Sequence, residues 1–412
     1  MIPANRRPSA SISHLMCIFG DIHTSSVNSL ALPRACRSIA GMIELTRNER
    51  RALDLMFRTG TITQAQLAER LDVTQQSASR ILAGLADRGM ISSGERVKMG
   101  SRGYPANSFS LVPDHCASIG ISVAPGAMDV LIADFAGKVL ANEHLAGPNS
   151  DIAGAATRLA TCIDALVGNI AGGRAPIGAG LAVSGSFLHQ GIFNTPYGLD
   201  EWADLDLEDY FTGRLGMPVY AENDGNAAAL AECLVGAGQR YDSFAYLFIG
   251  SGVGGGVVLD GKLWRGRHGN AGEFAGGLEP TIDVFPSLEV LRLELGADGI
   301  RFETVDELLR EFDAGWPAVQ RWVLKVSRSL SIIASNAGAI LDIDAIILGG
   351  RLPNDLARLA IPHIRFFDQH RRAQSRPVPH LVPAEAPAAA AAMGAALLPL
   401  QKLYHWTGQA HG

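Results

Sequence analysis

The stretch from Pro218 to Gly277 constrains this chain more than any other. A short apolar run, Val219 to Ala221, predicts a strand that ends in polar residues and turns into an alanine-rich helix. Asn223, Asp224 and Asn226 therefore sit at a strand-to-helix corner. A second apolar run, Phe244 to Ile249, leads into Gly250-Ser251-Gly252-Val253-Gly254-Gly255-Gly256, with an Asp-Gly turn at Asp260-Gly261 behind it. That pattern predicts a hairpin whose first turn is nearly all backbone, so its N–H groups can approach an anion closely. Ala271-Gly272-Glu273 then places a carboxylate after another glycine turn. Taken singly, Asn223 and Asp224 read as helix caps. The order of the pieces is what points to a ligand cleft.

A chain of 412 residues is long enough for two or three domains with sizeable cores. A net charge of −6 argues against a uniformly basic nucleic-acid coat but leaves room for a local basic patch. Cys17, Cys36, Cys116, Cys162 and Cys233 are scattered, with no CxxC pair. They suit a reducing cytoplasm, and cytoplasmic localisation is the expectation. No run reaches the roughly 18 apolar residues of a membrane span. Residues 1–41 are expected to form a flexible leader.

Residues 42–112 carry a different signature. Glu44 to Arg58 reads as a helix stopped by Gly60, and Thr63-Gln64-Ala65-Gln66 as a capping box that starts a short helix. Thr74 caps a third helix, whose Ala78, Ile81, Leu82 and Leu85 make an apolar stripe. Gln75, Gln76, Ser77, Ser79 and Arg80 are left facing outward. A hairpin with a glycine-rich tip follows, as in a winged helix-turn-helix. From Glu44 to Val112 ten basic residues face seven acidic ones, a net +3 against the sign of the whole chain. The glutamines and serines can pair with base edges, while Thr74, Arg80, Lys98 and Arg102 complete the expected DNA face. A protein-docking role for the same module stays open.

Residues 113–412 repeat themselves. Ser118 to Leu140 and Phe244 to Trp264 are each paired strands around a glycine-containing turn, closing with an aspartate, a glycine and a lysine. Thr304 to Glu307 reads as a capping box, Trp316 to Leu341 as a long amphipathic helix, and Ala345 to Leu348 as a buried strand. An alanine-rich packing helix is expected between Pro387 and Pro399.

The corner Asn223-Asp224-Gly225-Asn226 with Ala228 and Glu232, the hairpin Gly250 to Gly256, and Ala271-Gly272-Glu273 resemble the ROK family of repressors, open reading frames and sugar kinases. That resemblance implies an α/β fold: a two-lobed, duplicated actin/hexokinase-like (ribonuclease H-like) domain behind the winged helix. It also implies a sugar-binding set of Gly185, Asn194, Asn223, Asp224, Glu273 and Glu289, with Asp224 as the base if the chain were a kinase, and Leu348-Gly349-Gly350-Arg351 beside the adenosine pocket.

Two departures from the family pattern bear on activity. Where its kinases carry a DxGxT-type phosphate turn, this chain reads Ser122-Val123-Ala124-Pro125-Gly126, which removes the carboxylate near Mg²⁺ and one amide donor. Gly276 stands at the family's histidine position, and Pro280 to Glu289 contains no cysteine, so no structural zinc is expected. The expectation is a non-enzymatic, sugar-responsive repressor without cofactor or metal. Its expected partners are operator DNA and a carbohydrate or sugar phosphate, in a homo-oligomer, a dimer or tetramer. An active ATP-dependent sugar kinase with an appended DNA-binding domain is the alternative.

Overall fold

Three capped helices begin the folded part of the chain. The computed structural model describes residues 44–97, 106–170, 175–189, 191–281, 283–367, 376–387 and 389–405, all within one contact unit. The leader, residues 1–41, and the wing residues Lys98 and Arg102 lie outside the described residues. In helix α1 (Arg47–Thr59) Thr46 and Glu49 form a reciprocal capping box, a cap type worth about 1 kcal/mol. Strand β1 (Thr61–Thr63) leads into α2 (Gln64–Leu71), where Thr63 and Gln66 form the box that the sequence predicts. Thr74 caps α3 (Gln75–Asp87). Strands β2 (Ile91–Val97) and β3 (Ala106–Leu111) join β1 in a three-stranded sheet, order β1-β3-β2. Leu53, Met56, Leu67, Leu82 and Leu85 are buried beneath the helices.

The first lobe contains β4 (Ala117–Ala124), β5 (Ala127–Asp134), β6 (Val139–Ala146), helix α4 (Ile152–Asn169) and β7 (Pro176–Val183). A small hairpin of β8 (Ser186–His189) and β9 (Ile192–Asn194), then α5 (Leu207–Leu215) and β10 (Val219–Asn223), complete it. The chain crosses on α6 (Asp224–Val235) into β11 (Phe244–Ile249), β12 (Val253–Leu259) and β13 (Lys262–Trp264). Helices α7 (Leu288–Ala297), α8 (Val305–Arg310) and α9 (Pro317–Leu341), strand β14 (Ala345–Gly350), helix α10 (Asn354–Ala360), strand β15 (His380–Pro383) and helix α11 (Ala390–Leu403) follow.

The two five-stranded sheets have orders β10-β7-β4-β5-β6 and β13-β12-β11-β14-β15. Each is an antiparallel meander of three strands whose first member pairs in parallel with the fourth, and the fourth with the fifth. The duplication expected from the sequence is therefore present strand for strand.

Helices α6 and α11 lie between these sheets, and the alanines that fill both allow backbones to meet. A Cβ at Gly120 or Gly180 would sit 1.9 Å from the carbonyl oxygens of Ala392 and Ala395, and one at Gly394 only 1.7 Å from that of Ala227. Pro399 does not end α11, contrary to the sequence expectation; the helix runs through it to Leu403. Proline removes the donor for the Ala395 carbonyl, and that carbonyl faces Gly180, which has no side chain. The capping box expected at Thr304 is half present. Its hydroxyl accepts from Glu307 N, while the Glu307 carboxylate accepts from Glu303 N instead of returning to Thr304.

The winged helix shares its apolar core with α6 and α11. Phe57 of α1 packs edge-on against His405, with ring centroids 4.9 Å apart, and occupies the space that a Cβ on Gly137 would need. Arg50 Nη1 donates to the Leu403 carbonyl at 2.7 Å.

Candidate functional site

Asn223 is the last residue of β10 and the cap of α6, and its side chain does two jobs. Oδ1 accepts from Asn226 N at 3.0 Å, while Nδ2 donates to the Gly185 carbonyl at 2.6 Å. The cap that the sequence predicts is therefore present at this residue. Asp224 follows at the first position of the helix. Its Oδ2 accepts from the Ser184 hydroxyl at 2.6 Å and its Oδ1 from Gly225 N at 2.8 Å. Burial pushes the Asp224 carboxyl up to about 6; the Ser184 and Gly225 bonds pull against that and the charge of Glu273 adds to it. The group is mostly ionised at neutral pH yet close to its titration point, the condition in which a carboxylate accepts strongly from a hydroxyl.

Glu273 approaches from the second lobe, and burial raises its carboxyl as well. The turn that carries it is pressed onto β12: Gly272 has φ +104°, and a Cβ there would lie 2.7 Å from the Gly255 carbonyl. The turn is also pinned across the cleft, because the Asn270 amide exchanges two 2.7 Å bonds with the backbone of Phe187. Gly185, at φ +128°, accommodates the Asn194–Thr195 backbone, since a Cβ would lie 2.3 Å from Asn194 O. Its glycine identity thus serves the β8–β9 hairpin, and that packing brings Asn194 beside the corner.

Gly185, Asn194, Asn223, Asp224 and Glu273 are brought together. Among the described residues no hydrogen bond or ion pair joins Glu289 to them. It lies in the first turn of α7 and takes Arg292 Nε at 3.0 Å on each oxygen. The Glu232 of the corner motif is structural: fully buried, it accepts from the backbone N–H groups of Ala237, Glu385 and Ala386.

Sequence reasoning missed Ser184, Glu222, Arg265 and Asn270. Glu222 Oε1 accepts from Asn223 N and Asn226 Nδ2, and its Oε2 from Arg265 Nε at 2.6 Å, so it braces the corner from behind. Its place next to Asn223 was the available signal.

The glycine hairpin divides by role. Gly255 and Gly256 lie under α6, where a Cβ on Gly256 would meet Ala229 Cβ at 2.7 Å, whereas Gly252 and Gly254 face open space. At the latter pair nothing stands within 4 Å of where a side chain would be. At the first-lobe turn, the carbonyls of Ala124, Pro125 and Gly126 are taken by Asn149 Nδ2, Asn149 N and Gly147 N. Ser122 lies opposite Asp129 in the β4–β5 ladder.

On α3, Thr74, Gln75, Gln76, Ser79 and Arg80 are exposed. Ser77 is half-buried, its hydroxyl 2.9 Å from that of Thr74, so these two hydroxyls are engaged in the cap.

The ROK family model matches residues 118–278 and a MarR family model matches residues 43–98. An uncharacterized protein of Sinorhizobium fredii, y4fQ, is 30% identical over 78% of this chain and 82% of its own length. The chain belongs to the ROK family. Other relatives are the β-glucoside kinase of Listeria innocua, 31% identical over 36% of this chain, and the xylose repressor of Bacillus subtilis, 26% identical over 55%. The chain spans 54% and 59% of the lengths of these two. A crystal structure of a ROK family transcriptional regulator, a homologue of the E. coli MLC protein, superposes with a TM-score of 0.63, covering 87% of this chain and 96% of that one at 23% identity. This ROK chain thus has a MarR-like winged helix ahead of a kinase-like fold.

Proposed function

We propose that this chain is a sugar-responsive DNA-binding regulator, acting as a repressor of carbohydrate-related genes in the cytoplasm. Thr74, Gln75, Gln76, Ser77, Ser79 and Arg80, with Lys98 and Arg102, read the operator. Asn223, Asp224, Glu273 and Asn194, with Gly185 and Glu289, form the pocket for a carbohydrate or sugar phosphate. Vicinal hydroxyls suit this set because each can donate to a carboxylate and accept from an amide.

The observation that carries the reading is the seating of α1 on both cleft-lining elements. Arg58 Nη2 donates to the Gly261 carbonyl, at the far end of the glycine hairpin. Its Nη1 lies 3.6 Å from Cys233 Sγ, at the far end of the helix that begins with Asp224. A ligand that shifts the hairpin or α6 moves the DNA-reading helices with them, and in a dimer or tetramer it alters the spacing of two such helices. No helix among the described residues is long and apolar enough to cross a membrane.

The test is to select bound duplexes from a random DNA library and titrate sugars and sugar phosphates against the winning sequence. At least one should change the affinity. Loss of specific DNA binding in the full chain would remove the reading. The open Gly252 and the raised Asp224 are the features that favour a kinase instead. Ser122, on β4 just ahead of the first turn, argues for a blank in an ATP-dependent phosphorylation assay, and turnover there would establish the kinase.

A further inference from the structure

Ser122, Asp129 and His144 are directly opposite one another across β4, β5 and β6, so their side chains share one face of the first sheet. His144 Nδ1 is 2.7 Å from Asp129 Oδ1, and Nε2 is 3.3 Å from Asp306 Oδ2. Asp306 belongs to α8 of the second lobe, is buried, and is also held by Arg351, directly after β14. Arg310 of the same helix lies 3.9 Å from it. Asp129, His144 and Arg351 line a cavity of about 390 Å³ together with Tyr246, Gly349 and Gly350.

Each ring nitrogen of His144 thus faces a carboxylate, one from each lobe. A neutral imidazole has one N–H and one lone pair and would set that lone pair against a carboxylate; only the doubly protonated ring donates to both. We propose that Asp129, His144, Asp306 and Arg351 form an interlobe clasp that sets the opening of the cleft and releases when the imidazole loses its proton. The groups facing His144 are Asp129 from β5, Asp306 and Arg310 from α8, and Arg351; on the opposite face of β6, Glu143 lies near Cys162 of α4. Burial alone would lower the imidazole, but the bonds from Asp129 and then Asp306 outweigh it and hold it above the ordinary histidine range. The clasp is therefore complete below that ordinary range and is lost as pH rises through the raised value.

The clasp goes beyond the regulator reading, and its test needs neither operator nor effector. Spin labels on the full chain at Asp164→Cys of α4 and Leu324→Cys of α9, with Cys17 and Cys36 changed to serine, report the interlobe distance by pulsed dipolar spectroscopy. Between about pH 5.5 and about pH 8.5, a range that brackets histidine titration, the distribution should shift and broaden. In His144→Gln it should stay at the high-pH distribution throughout. Asp129→Asn should move the midpoint to lower pH. A distribution indifferent to pH in the labelled parent, or a pH response that survives in His144→Gln, overturns the clasp.

Discussion

Arg58 Nη2 lies 2.7 Å from the carbonyl oxygen of Gly261, a bond between residues 203 positions apart in sequence. It ties the last turn of α1 to the Asp260-Gly261 turn, where both residues have positive φ, as a two-residue hairpin turn requires. The same guanidinium reaches Cys233 and, through Nε, Asp54 at 3.2 Å, so one side chain joins the winged helix to both elements of the cleft.

Arg58→Ala should remove the stronger donor to the Gly261 carbonyl, leaving the Cys233 thiol at 3.3 Å, and cost about 1–3 kcal/mol. Urea denaturation checks the magnitude. Hydrogen exchange checks the place: amides of residues 47–59 should exchange faster, and unchanged exchange there would show that the bond does not hold the module.

Asp224→Asn should stabilise the protein at neutral pH. The folded state holds this carboxyl at about 6, above its unfolded value, so it binds the proton more tightly than the unfolded chain does. Stability contributed by the group is present below the ordinary carboxylate range and is lost as pH rises toward 6. The amide should gain about 1–3 kcal/mol at pH 7 and flatten that slope, at the expense of ligand binding. Denaturation midpoints measured across that window would expose an unchanged slope.

His405 has the opposite sensitivity to His144. Burial lowers it to about 4, and among the described residues neither ring nitrogen has a hydrogen-bond partner; Asp54 lies 3.8 Å from Nδ1, too far for a hydrogen bond. Stability that depends on the neutral ring is full above the ordinary histidine value and is lost as pH falls toward 4. Thermal unfolding should show that loss, about 2–3 kcal/mol in all, and His405→Leu should remove it. Because His405 packs on Phe57, α1 should loosen first in acid, which hydrogen exchange would detect.

Gly180→Ala should cost about 3 kcal/mol or more, because its methyl would enter the Ala395 carbonyl and the backbone has nowhere to retreat. Gly252→Ala is the control. Nothing lies within 4 Å of its Cβ position, so stability should change by less than about 1 kcal/mol. Equal losses for the two would refute the division of glycines into packing and open positions.

Local chemistry was legible in the chain. The Thr63–Gln66 box, the Thr74 cap, the duplicated meanders and the Asn223–Asp224 corner all follow from interactions over a few residues, which periodicity and capping rules capture. Pro399 misled because the glycine that faces the carbonyl it leaves without a donor is more than two hundred residues earlier. Arg292, one turn along the helix, pairs with the Glu289 carboxylate, a contact that the motif does not indicate.

The sequence alone determined the succession of helices and strands, the winged helix ahead of two repeated lobes, and the residue types at the cleft corner, because each rests on near-neighbour geometry and hydrophobic period. Tertiary structure decided which glycines are packing surfaces, that Ser184 holds Asp224 and Arg265 holds Glu222, and that Arg58 and His144 bridge distant elements. Those are encounters between residues tens to hundreds of positions apart. Burial and charge at such encounters depend on what the fold brings alongside, and no local pattern encodes it.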